Sequence, residues 1–216
     1  MIKIVDSNDN QSWLTLVISV LLIIYPFVAH FAVSANQYLP AVVILFSVFT
    51  LLAWSMFAAG NRFIAVLLLL LLSVFSALLT WGNSLNILYV LPIILYMMLF
   101  IFFFTSLRKS STPIITRFAI LMENEVGEEK RIYTRTLTKV WAVFFAIMLV
   151  ESLALILFAS PKLWSLFTNF INYIFIGVFF VAEYFIRIRM LPHLEHLGPL
   201  EFFYKLSKIE FKKLFL

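Results

Sequence analysis

The stretch from Ile87 to Ser106 reads ILYVLPIILYMMLFIFFFTS and contains no charged residue. A transmembrane helix needs about 20 mostly apolar residues to cross a hydrocarbon layer about 30 Å thick. The stretch therefore predicts a helix that spans a membrane. Its apolar residues are continuous and do not alternate with polar ones, as they would in a strand of a membrane β-barrel.

Other runs of the chain have the same character, and together they predict an all-α, polytopic membrane protein. We expect a bundle of six transmembrane helices in a single integral membrane domain covering residues 1–216. The predicted helices cover residues 13–33, 40–59, 63–80, 87–106, 138–159 and 166–186. The separators NQYLP, GNR and WGNSLN contain the Asn, Gly and Pro residues that are typical of turns. Trp13, Trp81, Trp141 and Trp164 lie near predicted helix ends, which is typical of an interfacial aromatic belt.

The composition agrees with a membrane location and excludes several kinds of chemistry. The chain is 63% hydrophobic and 12% charged, whereas soluble domains are roughly half apolar and about a quarter charged. Cysteine is absent, which excludes disulfides, thiolate zinc sites and a cysteine nucleophile. The sequence contains no Walker A, G-x-S-x-G or H-E-x-x-H motif. We therefore expect a non-catalytic protein without cofactor, metal or nucleic-acid partner.

The distribution of Lys and Arg predicts the orientation. If the amino terminus is inside, fifteen of the 16 Lys and Arg residues fall on the inner face and only Lys162 falls outside. Positive charge accumulates on the cytoplasmic side of membrane proteins. We therefore predict a protein of the bacterial inner membrane with cytoplasmic amino and carboxyl termini. We also expect the first apolar run to be retained, since no small-residue cleavage site follows it.

Two polar segments are predicted on the inner side. Residues 107–137 form a cytoplasmic loop, within which Pro113–Met122 is apolar enough for a short interfacial helix. The tail 198–216 is predicted to be amphipathic. It places Glu201, Lys205, Lys208 and Lys212 on one polar stripe. Each lysine near an anionic membrane surface contributes about 1 kcal/mol to binding.

Glu151 is the candidate intramembrane ionisable site. It lies about 20 Å into the fifth predicted helix, where a charge is costly and often functional. It could hold a proton, bind a cationic group or pair with His30 or Lys162. The alternative is a structural hydrogen bond to another helix, and Asn169 and Asn172 are predicted to make such bonds.

A cluster of cations precedes the fifth predicted helix. Arg131, Arg135 and Lys139 are spaced i, i+4, i+8, so they share one helical face, and Thr134 and Thr138 add hydroxyl groups beside them. Such a face can dock an anionic lipid, a phosphate group or an acidic partner. The alternative is that these cations only satisfy the positive-inside bias.

Near the inner end of the sixth predicted helix, Glu183 and Arg187 are spaced i, i+4 and can form an ion pair. The simpler interpretation is an ion-paired helix end whose long side chains reach the interface. In the alternative, Arg187 or Arg189 joins a cationic docking site with Arg117 and Arg135. His193 and His196 are spaced i, i+3 and could suit a metal together with Glu195, but the signal is weak, and we expect these residues to be solvated.

Three segments carry a resemblance to a known family. TPIITRFA (112–119), RIYTRTLTKVWAVFFAIM (131–148) and LWSLFTNFINYIFIGVFFVAEYFIRIR (163–189) resemble bacterial inner-membrane proteins from gene clusters for aryl polyene or xanthomonadin-type pigments. The resemblance implies a pathway containing acyl carrier proteins, membrane enzymes and a lipid exporter, and it implies no catalytic residue. It adds weight to Arg117, Thr134, Arg135, Thr138, Trp141, Glu183 and Arg187.

These observations lead to two functional hypotheses. In the first, the chain is an inner-membrane accessory or scaffold protein for biosynthesis or export of an acyl or aryl polyene lipid. Its basic cytoplasmic face would dock membrane lipid, an acidic acyl carrier protein or a partner enzyme. In the second, it is a small transporter or transporter subunit with Glu151 as its proton or cation site.

Overall fold

Helices and turns make up the part of the chain that the computed structural model describes, residues 7–81, 84–109, 111–123, 126–194 and 198. The helices are α1 (Ser7–Ser34), α2 (Leu39–Ala58), α3 (Arg62–Trp81), α4 (Ser84–Ser106), α5 (Ile114–Glu123), α6 (Glu128–Phe158), α7 (Pro161–Leu166) and α8 (Asn172–Met190). A π-helical turn, Phe167–Ile171, lies between α7 and α8. The predicted all-helical fold class is therefore confirmed.

Five helical stretches of the described chain are long and apolar enough to cross a membrane, and they fit a multi-pass membrane protein. They are Trp13–Ser34, Leu39–Ala58, Leu85–Ser106, Glu128–Phe158 and Pro161–Met190. Arg62–Ala77, within α3, is a shorter apolar helix, so the sixth span stays a prediction. The predicted amphipathic tail lies outside the described residues, except for Gly198.

The turn that ends α2 shows how the local sequence sets a helix boundary. Gly60 has φ of 80°, a left-handed conformation that a residue without Cβ adopts at little cost. The Gly60 amide donates to the Phe57 carbonyl at 3.0 Å, and the Asn61 amide donates to the Met56 carbonyl at 2.9 Å. This is the Schellman pattern, which satisfies carbonyls that the helix leaves unpaired at its end. Asn36, after α1, has φ of 54°. Asn36 and Gly60 therefore lie in turns between helices, as their residue types predict.

The described chain divides into two compact units. The first contains the described residues up to Pro92 together with Leu155–Ile171, and the second contains Ile93–Ala154 together with the described residues from Asn172 onwards. The single-domain assignment stays a prediction. In the first unit, α1 packs against α2, α7 and the π-helical turn, and α2 packs against α3. Small buried residues such as Ala29 and Ala41 lie in its core, where they let helices approach closely.

The core of the second unit is aromatic and forms around Trp141. The Trp141 ring lies 4.5 Å from the Phe179 ring and 5.4 Å from the Phe145 ring, measured between centroids. Trp141 is only 6% exposed, and Trp164 in the first unit is 2% exposed. The prediction that these two residues belong to an interfacial belt is therefore wrong. Their rings pack against other aromatic rings inside the protein, where burial of a large apolar surface outweighs an interfacial position.

Two glycines provide a matched test of this account. Gly60→Ala should lower the free energy of unfolding by about 1–2 kcal/mol, because a Cβ is strained at positive φ. Gly177→Ala should raise it by about 0.5–1 kcal/mol, because Gly177 lies inside α8 and a Cβ there meets nothing within 4 Å. Reversible unfolding of the purified protein in mixed micelles measures both. Equal effects of the two substitutions would contradict the assigned backbone conformations.

Candidate functional site

The predicted cations lie on one continuous helix. Helix α6 begins at Glu128, ten residues before the predicted start at residue 138. Arg131, Arg135 and Lys139 therefore occupy successive turns of the same face, as their spacing predicts. Arg131 and Lys139 are exposed and Arg135 is half-buried.

The predicted hydroxyl residues Thr134 and Thr138 both lie on α6, and Thr134 contacts α5. The Thr134 hydroxyl donates to the Arg131 carbonyl at 3.1 Å, so its oxygen is free to accept from the Thr116 hydroxyl at 2.8 Å. The Thr138 hydroxyl donates to the Thr134 carbonyl at 2.7 Å. Thr116, Thr134 and Thr138 are at most 5% exposed. Thr134 thus joins α6 to α5 beneath the surface, whereas the Thr138 bond stays within α6, and Thr116 is a partner that sequence reasoning missed.

The arginines of this region each contact a different backbone carbonyl. Arg131 Nε donates to Val126 at 3.1 Å, Arg135 Nη2 to Leu107 at 3.1 Å and Arg117 Nε to Thr112 at 2.9 Å. A guanidinium group has five N–H donors, so these bonds orient each side chain, and those of Arg131 and Arg135 leave further donors for an anion. We call Arg117, Arg131, Arg135 and Lys139 the basic face.

Glu183 and Arg187 form the predicted i, i+4 ion pair, with Arg187 Nε 3.4 Å from Glu183 Oε1. The Tyr133 hydroxyl donates to the same Glu183 oxygen at 3.0 Å. Tyr133 lies on α6 and Glu183 on α8, so the carboxylate joins these helices within the second unit. Both side chains of the pair are mostly buried, at 17% and 13% exposed. This geometry favours the ion-paired helix end over a free docking role for Arg187.

An elongated apolar groove runs along α4 and α6 in the second unit, with a volume of about 590 Å³. That volume is in the range of small-molecule sites, about 300–1,000 Å³. Its apolar lining includes Phe100, Phe104, Ala142, Val143, Ala146 and Ile147. The polar lining residues are Lys139 and Glu151, which are separated by about 18 Å along α6 at 1.5 Å per residue. Lys139 and Glu151 therefore lie at opposite ends of the lining, which is otherwise apolar.

At the Glu151 end of the groove, the Asn172 side chain holds the carboxyl group in place. The Asn172 Nδ2 group donates to Glu151 Oε2 at 3.2 Å and to the Tyr96 hydroxyl oxygen at 3.2 Å. These bonds connect α8 to α6 and to α4. Asn172 is 1% exposed and Tyr96 is 5% exposed. The prediction that Asn172 bonds between helices is confirmed, whereas Asn169 bonds to Ser165 four residues earlier. We call Glu151, Asn172 and Tyr96 the Glu151 cluster.

Two acceptor oxygens of the Glu151 cluster are unsatisfied. Glu151 Oε1 and Asn172 Oδ1 are buried, and neither has a hydrogen-bond partner among the described residues. A buried acceptor without a donor costs about 1–3 kcal/mol. Asn172 also follows directly after the π-helical turn Phe167–Ile171, and such turns occur frequently at functional sites.

The histidines of the described chain have contacts other than Glu151, including His30, which was one suggested partner of that carboxyl group. His30 Nδ1 lies 3.3 Å from Ser165 Oγ in the first unit, and the His30 ring makes an edge contact with the Phe170 ring. His193 Nε2 lies 2.6 Å from Glu129 Oε2 at an exposed position, and His196 is outside the described residues. Within the described ranges, no group of three metal-binding side chains occurs.

Comparison of the chain with protein-family models, curated proteins and solved structures gives no match.

The contact between α5 and α6 can be tested by a double-mutant cycle. Thr134→Val should lower the free energy of unfolding by about 1–3 kcal/mol, because it leaves the Thr116 hydroxyl buried without an acceptor. Adding Thr116→Val should recover part of that loss, since no unpaired hydroxyl then remains at the contact. Unfolding in mixed micelles and hydrogen exchange of the α5 amides measure the effect. Additive losses would show that the two hydroxyls do not interact.

Proposed function

We propose that this chain is a non-catalytic accessory protein of the bacterial inner membrane that docks an anionic lipid on α6. The observation that carries the proposal is the position of Lys139, an exposed cation at the end of an apolar groove. An anionic lipid combines a negative head group with an apolar chain in the same arrangement. The head group would bind Lys139, with Arg135 one turn away, and the chain would lie along Val143 and Ile147.

The proposed topology has six spans, which are the five long apolar stretches and α3. Both termini lie in the cytoplasm. Its support is the charge distribution, since this arrangement puts all but one of the 16 Lys and Arg residues inside. Under this topology, the basic face lies at the cytoplasmic surface, where anionic head groups are abundant. The tail 198–216 would then lie on the same leaflet as an amphipathic helix.

The proposed pathway is the biosynthesis or export of an acyl or aryl polyene lipid. Its support is the resemblance of residues 112–119, 131–148 and 163–189 to the pigment-cluster family. Acidic acyl carrier proteins would be attracted to the basic face by long-range electrostatics. The groove favours lipid over a carrier protein as the primary ligand. A carrier protein could bind Lys139 through surface charge alone, whereas the acyl chain of a lipid would also occupy the apolar groove.

A second candidate function is transport, and the position of Glu151 favours it. Glu151 is the carboxyl group that lines the groove, and intramembrane carboxyl groups mark proton and cation pathways in transporters. We rank transport second because the rest of the groove lining, apart from Lys139, is apolar and would not solvate a moving ion.

The lipid proposal is tested by charge removal. Lys139→Leu should reduce the retention of phosphatidylglycerol about fivefold, since one lysine near an anionic head group contributes about 1 kcal/mol. Retention of phosphatidylcholine should not change. Native mass spectrometry of the full chain, purified in non-ionic detergent with a defined mixture of the two lipids, measures both.

Lys162→Leu is the matched control, because Lys162 is an exposed lysine on α7 in the other unit. It should leave the retention of both lipids unchanged. Equal retention of phosphatidylglycerol by wild type and Lys139→Leu would refute the lipid site. Co-purification of an acidic protein that is lost on Arg131→Glu or Arg135→Glu would instead support a partner-docking role for the basic face.

Transport is tested with Glu151→Gln, which keeps the size of the side chain and removes its ionisable group. We expect wild-type and variant proteoliposomes to show the same flux of protons or cations under an imposed pH gradient, measured with a pH-sensitive dye. A flux that the wild type supports and Glu151→Gln abolishes would replace the accessory function with transport.

A further inference from the structure

We infer that the site at Lys139 selects a lipid whose head group is a phosphate monoester, and that Arg135 sets this selectivity. The inference rests on the proposed lipid-docking function and deepens it by naming the class of head group. A phosphate diester, such as that of phosphatidylglycerol, carries a single negative charge. A phosphate monoester carries about −1.5 to −2 charges near pH 7 and has three strong acceptor oxygens.

The first argument comes from the position of Arg135. Its Nη2 atom donates to the Leu107 carbonyl at 3.1 Å, and Leu107 lines the groove together with Lys139. Arg135 and Lys139 lie four residues apart on α6, and side chains at this spacing are neighbours on a helix surface. The guanidinium group is therefore held beside the end of the groove that carries the lysine.

The second argument comes from the hydrogen-bond donors of the two cations. A guanidinium group has five N–H donors and an ammonium group has three. Arg135 is half-buried and bonds to Leu107, and none of its nitrogens is buried without a partner among the described residues. Its remaining donors are therefore accessible, as are those of the exposed Lys139. The three oxygens of a phosphate monoester can accept from both cations, whereas a diester has only two non-bridging oxygens.

The third argument comes from the charge around the two cations. No ion pair joins Arg135 or Lys139 to a carboxylate of the described chain. On α6, Glu129 precedes Arg135 by about 9 Å of helix and contacts His193 at 2.6 Å. Glu151 follows Lys139 by about 18 Å of helix. Two positive charges are therefore left for the head group, and a dianionic phosphate balances them better than a mono-anionic one.

The groove next to these cations favours a lipid over a soluble phosphate monoester. Its lining near Lys139 includes Leu107, Ala142 and Val143, whose side chains are apolar. A soluble monoester would bind the cations and leave this apolar surface without a ligand. A lipid with the same phosphate contacts both surfaces, because its acyl chain lies in the groove.

The test compares phosphatidic acid, a phosphate monoester, with phosphatidylglycerol that carries the same acyl chains. The full chain in non-ionic detergent receives both lipids in equal amounts, and native mass spectrometry measures their retention. At pH 7.5, wild type should retain phosphatidic acid about fivefold more than phosphatidylglycerol, the effect of one additional charge near a cation. At pH 5 the monoester loses its second charge, since its second pKa is about 6, so the retention ratio should approach one. Both lipids are in the same sample, so protein groups that titrate in this range affect both.

The variants separate the roles of the two cations. Arg135→Gln should bring the retention ratio at pH 7.5 close to one while phosphatidylglycerol is still retained, and Arg135→Lys, which keeps the charge, should preserve most of the preference. Lys139→Leu should weaken the retention of both lipids. Arg62→Gln is the matched control, because Arg62 is an exposed arginine in the first unit, and it should leave the ratio unchanged. Thermal unfolding shows whether each variant is folded, and the pH comparison on wild type keeps the test open if Arg135→Gln does not fold.

A soluble competitor distinguishes the lipid from other phosphate monoesters. Glycerol 3-phosphate carries the same monoester without acyl chains, and a moderate excess of it should not displace phosphatidic acid. Displacement as effective as that by a short-chain phosphatidic acid would overturn the assignment of a lipid, because the groove would then contribute nothing to binding.

The outcomes distinguish this inference from the proposed function. Equal retention of the two lipids by wild type at pH 7.5, with both reduced in Lys139→Leu, would overturn the head-group selectivity and leave lipid docking at Lys139 intact. A preference that persists at pH 5 or in folded Arg135→Gln would also overturn the inference, because the second charge or Arg135 would then play no part. Retention of both lipids that does not depend on Lys139 would overturn both proposals.

Discussion

A peptide group in a hydrocarbon layer has no water to bond with, and each unsatisfied group costs several kcal/mol. Helices meet this constraint because their backbone bonds are internal. The same constraint extends to small polar side chains in the apolar helices. Ser47, Thr50 and Thr105 each donate to the carbonyl four residues earlier at 2.7–2.8 Å. These residues therefore enter the apolar runs without requiring a partner on another helix.

Several longer polar side chains link helices instead. In the second unit, Asn172 bonds to Glu151 and Tyr96, and Glu183 accepts from Tyr133. Hydrogen bonds of this kind in membrane proteins contribute about 0.6 kcal/mol on average. Their larger effect is on specificity, since a shift of one helix would leave several buried polar groups unpaired. The Glu151 cluster is the exception, because two of its acceptors have no donor among the described residues.

Hydropathy and turn chemistry were sufficient to predict much of the helical framework. The stretch Ile87–Ser106 lies within α4, and the turn at Gly60 follows from its freedom at positive φ. The sequence predicts the start of this helix ten residues too late, because Glu128–Leu137 is polar and gives no apolar signal, although it is helical. The buried positions of Trp141 and Trp164 could not be predicted, because hydropathy does not distinguish contact with lipid from contact with protein. The groove and the bond between Asn172 and Glu151 depend on which helices are neighbours, and a single sequence does not contain that information.

Helix α6 has 31 residues, which corresponds to about 46 Å, longer than a hydrocarbon layer of about 30 Å. Arg131 and Glu151 lie on this one helix, within the second unit. An uninterrupted helix transmits torque, since its internal hydrogen bonds resist local twisting. Rotation of α6 about its axis would turn the guanidinium group of Arg131 and the carboxyl group of Glu151 through the same angle.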